Sequence, residues 1–349
     1  MKPFKSIWPL LIAAVLCASA TTHAQQDMTN QLTLSARFGF NISARFKGLG
    51  TLPAPSLSSS RKTPHGDAYN YDDGYVLTDS SGSFGGQTWY WGYDNSSKQI
   101  SGNNILMSRN SLASGAPAVT IEDDPSYGAE LVYSRLLAVR GRFHFGVELA
   151  GNYLNLSLND SRTLSGNVMH TTYPYPFTSG TTPPSANPAA PYQGSYEGPG
   201  FVIGDTPGEA SSTIIAGGAA IQGHRQFDAD IFGFRLGPYV ELPVSDRLKF
   251  SFSGGLAGAW LDGNASWSET ASIGGMKGAT LSGSGSADEF LWGFYVGGNA
   301  SWQFAQRWSA VAGVQYQDLS DFNHAFGGRQ VEVDMSKSIF VTVGLSFNF

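Results

Sequence analysis

Residues 338–349 read SIFVTVGLSFNF. Ile339, Val341, Val343, Leu345, Phe347 and Phe349 are apolar; Thr342, Gly344, Ser346 and Asn348 between them are small or polar, and Phe340 breaks the pattern. A period of two sends successive side chains to opposite faces, so this is a strand with one oily face and one polar face. The alternation is longer at 32–46. There Leu32, Leu34, Ala36, Phe38, Phe40, Ile42, Ala44 and Phe46 oppose Thr33, Ser35, Arg37, Gly39, Asn41, Ser43 and Arg45. Strands in globular proteins average about 5–6 residues. A chain that repeats such long two-faced strands must put every oily face against something apolar.

Six further segments repeat the pattern: 127–139, 142–157, 226–242, 247–261, 287–304 and 308–318. Segment 142–157, for example, sets Phe143, Phe145, Val147, Leu149 and Tyr153 against His144, Glu148 and Asn152. The result is an all-β, antiparallel, up-and-down arrangement of eight strands. Its connections alternate in length. Those at 140–141, 243–246 and 305–307 are short; those at 47–126, 158–225, 262–286 and 319–336 are long. Short turns on one rim and long loops on the other are the asymmetry of a transmembrane β-barrel, with the turns periplasmic and the loops extracellular. Trp260, Trp292, Trp302, Phe304, Trp308, Tyr316, Phe347 and Phe349 fall near strand ends, where aromatic girdles belong. Apolar stretches within 104–121 and 213–221 offer a ten-stranded alternative, but it would move the 140–141 turn to the outer rim. They read instead as hairpin extensions or packed loop pieces beyond the membrane. The proline-rich stretch 171–208 reads as a loop that cannot pair as a central strand.

Residues 1–24 have the form of a secretory signal peptide. Lys2 and Lys5 precede an apolar run, Leu10 to Ala20, with cleavage expected after Ala24 or Ala20. That leaves 25–349 as the barrel domain with its two largest surface loops, 47–126 and 158–225. Losing the two lysines takes the net charge from −6 to −8, which argues against a nucleic-acid partner. Cys17 is the one cysteine, so the remaining chain has no disulfides or thiolate metal sites. No later apolar run reaches the roughly 20 residues of a transmembrane helix.

The signal, the strand pattern and the terminal aromatic Phe349 together resemble the small eight-stranded bacterial outer-membrane barrels, the OmpA-like and OmpX-like superfamily. The resemblance implies an outer-membrane location, outer-membrane lipid around the barrel, and recognition of the last strand, with Phe349 as insertion signal, by the barrel-insertion machinery.

An eight-stranded barrel is filled by its own side chains. Parity places Arg37, Arg45, Glu148, Arg235, Glu241 and Lys249 in the lumen, where opposite charges should pair. A narrow solute pore, with those pairs rearranging, is the second reading. A lipid-modifying barrel enzyme is the third. It would need an activated nucleophile, and His65, His144, His170, His224 and His324 show no triad spacing, so the chain is read as non-enzymatic, without cofactor or metal. In the first loop Tyr71, Tyr75, Trp89, Trp91 and Tyr93 lie among acids and form a candidate surface patch for a ligand of unknown identity. The expected role is structural or in surface interaction, the loops presenting the binding surface.

Overall fold

The computed structural model describes residues 29–49, 68–77, 85–122, 125–184, 192–194 and 198–349. The expected signal peptide lies outside the described residues. Among the described residues the largest sheet has eleven strands, and the long ones that close on each other are β1 (Asn30–Phe40), β2 (Ser126–Arg140), β3 (Phe143–Asp160), β4 (Ser211–Pro243), β5 (Leu248–Ile273), β6 (Met276–Gln303), β7 (Trp308–Leu319) and β8 (Ser338–Asn348). Each pairs antiparallel with the next, and β8 pairs with β1. Gly141, at φ 63°, makes the tight β2–β3 turn that a residue with a Cβ would strain.

The registers fix the geometry of this ring. From Val240 on β4 the paired residues run through Phe252, Gly298, Val314, Val341, Phe38, Tyr127 and Asn155, and return to β4 at Asp230. The row comes home ten residues from its start (240 − 230). With strands about 4.8 Å apart and a rise of about 3.3 Å per residue, that offset tilts them by about 40°.

The faces of the ring exchange character along its strands. On β3, Phe143, Phe145, Val147 and Leu149 are exposed on the outside while Glu148 is buried inside. Beyond Tyr153 the outside becomes Asn155, Ser157 and Asn159, and the inside becomes buried Leu154, Leu156 and Leu158. The outside of β4 passes from Leu236, Phe234 and Phe232 to Asp230 and Asp228. That of β5 passes from Phe252, Leu256 and Trp260 to Asp262 and Asn264, and that of β6 from Trp292 and Phe290 to Asp288 and Ser286. One half of the ring is therefore polar inside and oily outside. The other half has the ordinary polarity of a water-soluble protein.

The soluble-type half is built differently from the loops that the sequence suggests. Residues 262–286 continue β5 and β6 as one hairpin, paired as far as Ile273 and Met276. Residues 213–221 belong to β4 and pair with the strand Leu164–Pro176, which pairs in turn with Asn104–Ser114. Part of the proline-rich stretch is thus a paired strand. Pro174 and Pro176 are two apart, so their missing N–H groups fall on one edge, while Tyr173, Tyr175 and Phe177 turn theirs toward the 104–114 side.

Residues 42–46 also depart from the strand that the alternation at 32–46 predicts. The chain bends at Asn41, at φ 60°, and Ser43–Lys47 leaves the ring to pair with Val119–Glu122 and Arg329–Asp334. Arg329–Asp334 also pairs with Phe322–Phe326. Ile42, Ala44 and Phe46 therefore do not continue the outer oily face. They are buried with Val331, Val333, Phe322 and Phe326 against Leu156, Phe227, Ile231 and Leu261 on the inner walls. This apolar core fills the upper end of the ring.

Candidate functional site

The inner face of the oily half holds a four-charge network. Arg37 on β1 pairs with Glu130 on β2; Arg235 on β4 donates to Glu130 at 2.7 Å and to Glu148 on β3 at 2.7 Å. The Tyr295 hydroxyl donates to Glu148 at 3.0 Å, and Arg37 donates to Gln317 at 2.8 Å. Arg37 lies over the Phe340 ring, 3.7 Å from its centroid, and Arg235 over Tyr295 at 4.9 Å. Arg37 is 1% exposed and Glu130 3%. Two cations and two anions balance, which is what a water-poor interior demands.

Nearer the short turns, Glu241 accepts from Lys249 at 3.0 Å and lies 3.1 Å from His144. His144 thus faces Glu241, its cross-strand neighbour, and not Glu148. A polar cavity of about 50 Å³ separates the two groups, with Thr33, Ser134, Tyr239, Glu241 and Ser301 among its lining.

Of the lumen residues read from parity, Arg37, Glu148, Arg235, Glu241 and Lys249 face this interior. Arg45 does not: it is exposed on the face of Ser43–Lys47 opposite Ala44 and Phe46, because the bend at Asn41 ends the β1 face. Glu130, which bridges both arginines, escaped the sequence reading. Its signal was parity, since it lies between Ala129 and Leu131 on the polar face of β2.

A second buried network ties the outer half together. Arg225 donates to Glu269 at 2.7 Å and to Asp160 at 3.0 Å, and Arg329 donates to Glu269 at 3.0 Å while stacking on Trp267 at 4.2 Å. Burial raises the Asp160 pKa, but the hydrogen bond and charge of Arg162 and the charge of Arg225 outweigh it and hold the carboxyl below its ordinary range.

The loop aromatics read as a surface patch are a core instead. Trp91 is fully buried, and Tyr71, Tyr75 and Tyr93 are buried with Val76, Ile105, Met107, Tyr175 and Ile203; Trp89 is half-buried. Their polar atoms are used internally. The Tyr71 and Tyr175 hydroxyls are 2.6 Å apart, Trp91 Nε1 donates to the Phe201 carbonyl at 2.8 Å, and Tyr93 donates to that of Pro184 at 2.6 Å. The acids beside them are used as well. Asp73 accepts from the Ser108 backbone at 2.7 Å and hydroxyl at 2.6 Å, and Asp72 from the Asn110 backbone at 2.6 Å. Burial still pushes the Asp73 carboxyl above its ordinary pKa. Described parts of the two loops thus pack together, Tyr71 to Met107 from the first and Tyr173 to Ile203 from the second contributing to one aromatic core. Among the described residues, no group of three or more His, Cys, Asp or Glu is placed to hold a metal ion.

No protein-family model and no curated protein matches the chain. Solved structures give low-similarity matches. The outer membrane protein OprG from Pseudomonas aeruginosa is 10% identical over 93% of this chain and 99% of that one, with TM-score 0.33. The outer membrane protease OmpT from Escherichia coli is 10% identical over 94% and 99%, TM-score 0.31. The attachment invasion locus protein Ail of Yersinia pestis is 8% identical over 91% and 99%, TM-score 0.26. The geometry, and not these likenesses, carries the functional reading.

Proposed function

We propose that the chain is an eight-stranded outer-membrane β-barrel with a closed lumen, whose outer half is a rigid β-structured platform for contact at the cell surface. The observation that carries this reading is the exchange of polarity along the strands. Leu256 and Trp292 are 69% and 70% exposed, while Arg37 and Glu130 are buried on the other face. Water cannot favour that arrangement, and hydrocarbon can. The oily run on β3 from Phe143 to Tyr153 is ten steps, about 33 Å along the strand and about 25 Å across a membrane at a tilt of about 40°. That height suits a barrel's apolar band.

The lumen supports a structural role over a pore, because the charge network and the apolar core above it block it in series. A purified protein giving defined conductance steps in planar bilayers, lost on changing Arg37 and Glu148, would favour the pore. With the aromatic cluster buried, the polar exterior of the extended strands, such as the Thr270–Thr280 and Ser268–Ser282 pairs, is the surface offered to partners among the described residues. Phe349 stacks on Phe347, with ring centroids 6.0 Å apart, at the foot of the band, where the insertion machinery would meet it.

The membrane reading is tested with single cysteines, since Cys17 is confined to the expected signal. Fluorophores on Phe252→Cys and Ser266→Cys in proteoliposomes should differ sharply. Brominated acyl chains should quench the first and spare the second. Equal quenching, or a mature chain that stays soluble without detergent, would refute it.

A further inference from the structure

The two rims of the oily band carry opposite charge. Above it Asp230, Asp262 and Asp288 are exposed cross-strand neighbours. Below it every short turn carries arginine: Arg140 and Arg142 at β2–β3, Arg247 at β4–β5 and Arg307 at β6–β7; Arg135 adds a fifth on the lower part of β2. Asp246 is the acid in these turns. All five arginines are exposed. Among the described residues none of them has an ion-pair partner, whereas Arg37, Arg162, Arg225, Arg235 and Arg329 each have a carboxylate.

These guanidinium groups border exposed Phe143, Trp302, Phe304 and Trp308, the last apolar side chains of the band. A side chain at that depth in a bilayer meets the headgroups. A guanidinium offers a planar fork of N–H donors that fits phosphate bidentately. Unpaired cations at the membrane surface attract anionic lipid, by a margin that salt reduces.

We infer that this rim is a collar for anionic phospholipid of the periplasmic leaflet, holding the phosphate of a phosphatidylglycerol-type headgroup. The inference rests on the membrane reading above. It adds a lipid preference and a place for it.

Trp302 and Trp308 stand beside the collar and report on it. The protein is reconstituted in phosphatidylcholine vesicles containing either brominated phosphatidylglycerol or brominated phosphatidylcholine with the same acyl chains. Relative quenching of tryptophan emission gives the relative association of the two lipids. The wild type should favour phosphatidylglycerol, by about fivefold for each arginine that holds a phosphate. The preference should shrink at 1 M salt, vanish in Arg135→Gln/Arg140→Gln/Arg142→Gln/Arg247→Gln/Arg307→Gln, and be weakened but not lost with lysine at the same five positions, which keeps the charge without the fork. Heat-modifiable gel migration checks folding. Should the five-fold variant not fold, the pairs Arg140→Gln/Arg142→Gln and Arg247→Gln/Arg307→Gln must each lower the preference. Equal quenching by the two lipids in the wild type, or a preference that survives the glutamine changes, overturns the collar and leaves the barrel standing. No quenching by either lipid would defeat the membrane reading itself. Binding of the wild type to isolated peptidoglycan, lost in the glutamine variant without any lipid preference, would reassign the collar to the cell wall.

Discussion

Glu130→Gln removes one charge from the lumen and little else. The carboxylate faces two guanidinium groups, Arg37 and Arg235, and all three side chains are at most 6% exposed. The amide keeps the volume and one acceptor oxygen, so no cavity opens. What remains is two buried cations sharing Glu148, which bonds to Arg235 at 2.7 Å and makes no bond to Arg37. Arg37 keeps the neutral Gln315 and Gln317 at 3.4 and 2.8 Å. Leaving one member of a buried pair uncompensated costs about 3–5 kcal/mol. Urea unfolding in detergent micelles, followed by tryptophan emission and gel migration, should show a loss of that size. Arg37→Met in the same chain should return about 2 kcal/mol or more, because Arg235 and Glu148 then balance again. A single-variant loss below about 1 kcal/mol, or a double variant as unstable as the two singles summed, would mean that the network is wet or screened and does not seal the lumen.

Arg45→Ala makes the contrast: this residue is exposed and not part of the lumen network, so the unfolding free energy should stay within about 0.5 kcal/mol of wild type, and a loss like that of Glu130→Gln would return Arg45 to the lumen. Trp91→Ala empties the centre of the loop core and should cost that unit about 3–5 kcal/mol. Limited proteolysis should then cut within 68–114 or 164–208 while heat-modifiable migration persists; resistance in both segments would contradict the shared aromatic core. Asp160 predicts an acid response. Its folded pKa lies below the ordinary 3.8, so its stabilisation is complete above that value and disappears as pH falls through the folded one. Pepsin digestion between pH 5 and 2 should reveal cutting near 160–164 only below about pH 3.8, and Asp160→Asn should be cut equally at both ends of the range. Cutting of the wild type that is already complete at pH 5 would contradict a stabilising role for Asp160 in the Arg225 network.

The oily half was legible because two solvents impose a binary choice at every position: hydrocarbon outside, a polar interior inside. Arg37, Glu148 and Arg235 follow from that parity alone. Parity fails where the backbone changes direction without a glycine to announce it. Asn41 takes φ 60° because a short polar side chain tolerates that region, and all that follows it, including Arg45, leaves the face that counting assigns. It fails again where one inner face has little to bury. Residues 281–287 read LSGSGSA, too poor in apolar side chains to look like a strand, yet they pair with β5 throughout. The missing bulk is supplied from across the sheet. A Cβ on Gly283 would stand 2.7 Å from the Trp267 indole, and one on Gly285 would stand 3.1 Å from the Phe326 ring. The glycines are blank in the sequence because neighbours distant along the chain occupy their side-chain space. The same holds for the first loop, whose aromatics look free to meet a ligand until the second loop arrives with Tyr175, Phe201 and Ile203 to cover them. Local pattern reports which solvent a residue faces. It cannot report that a residue's partner is another loop.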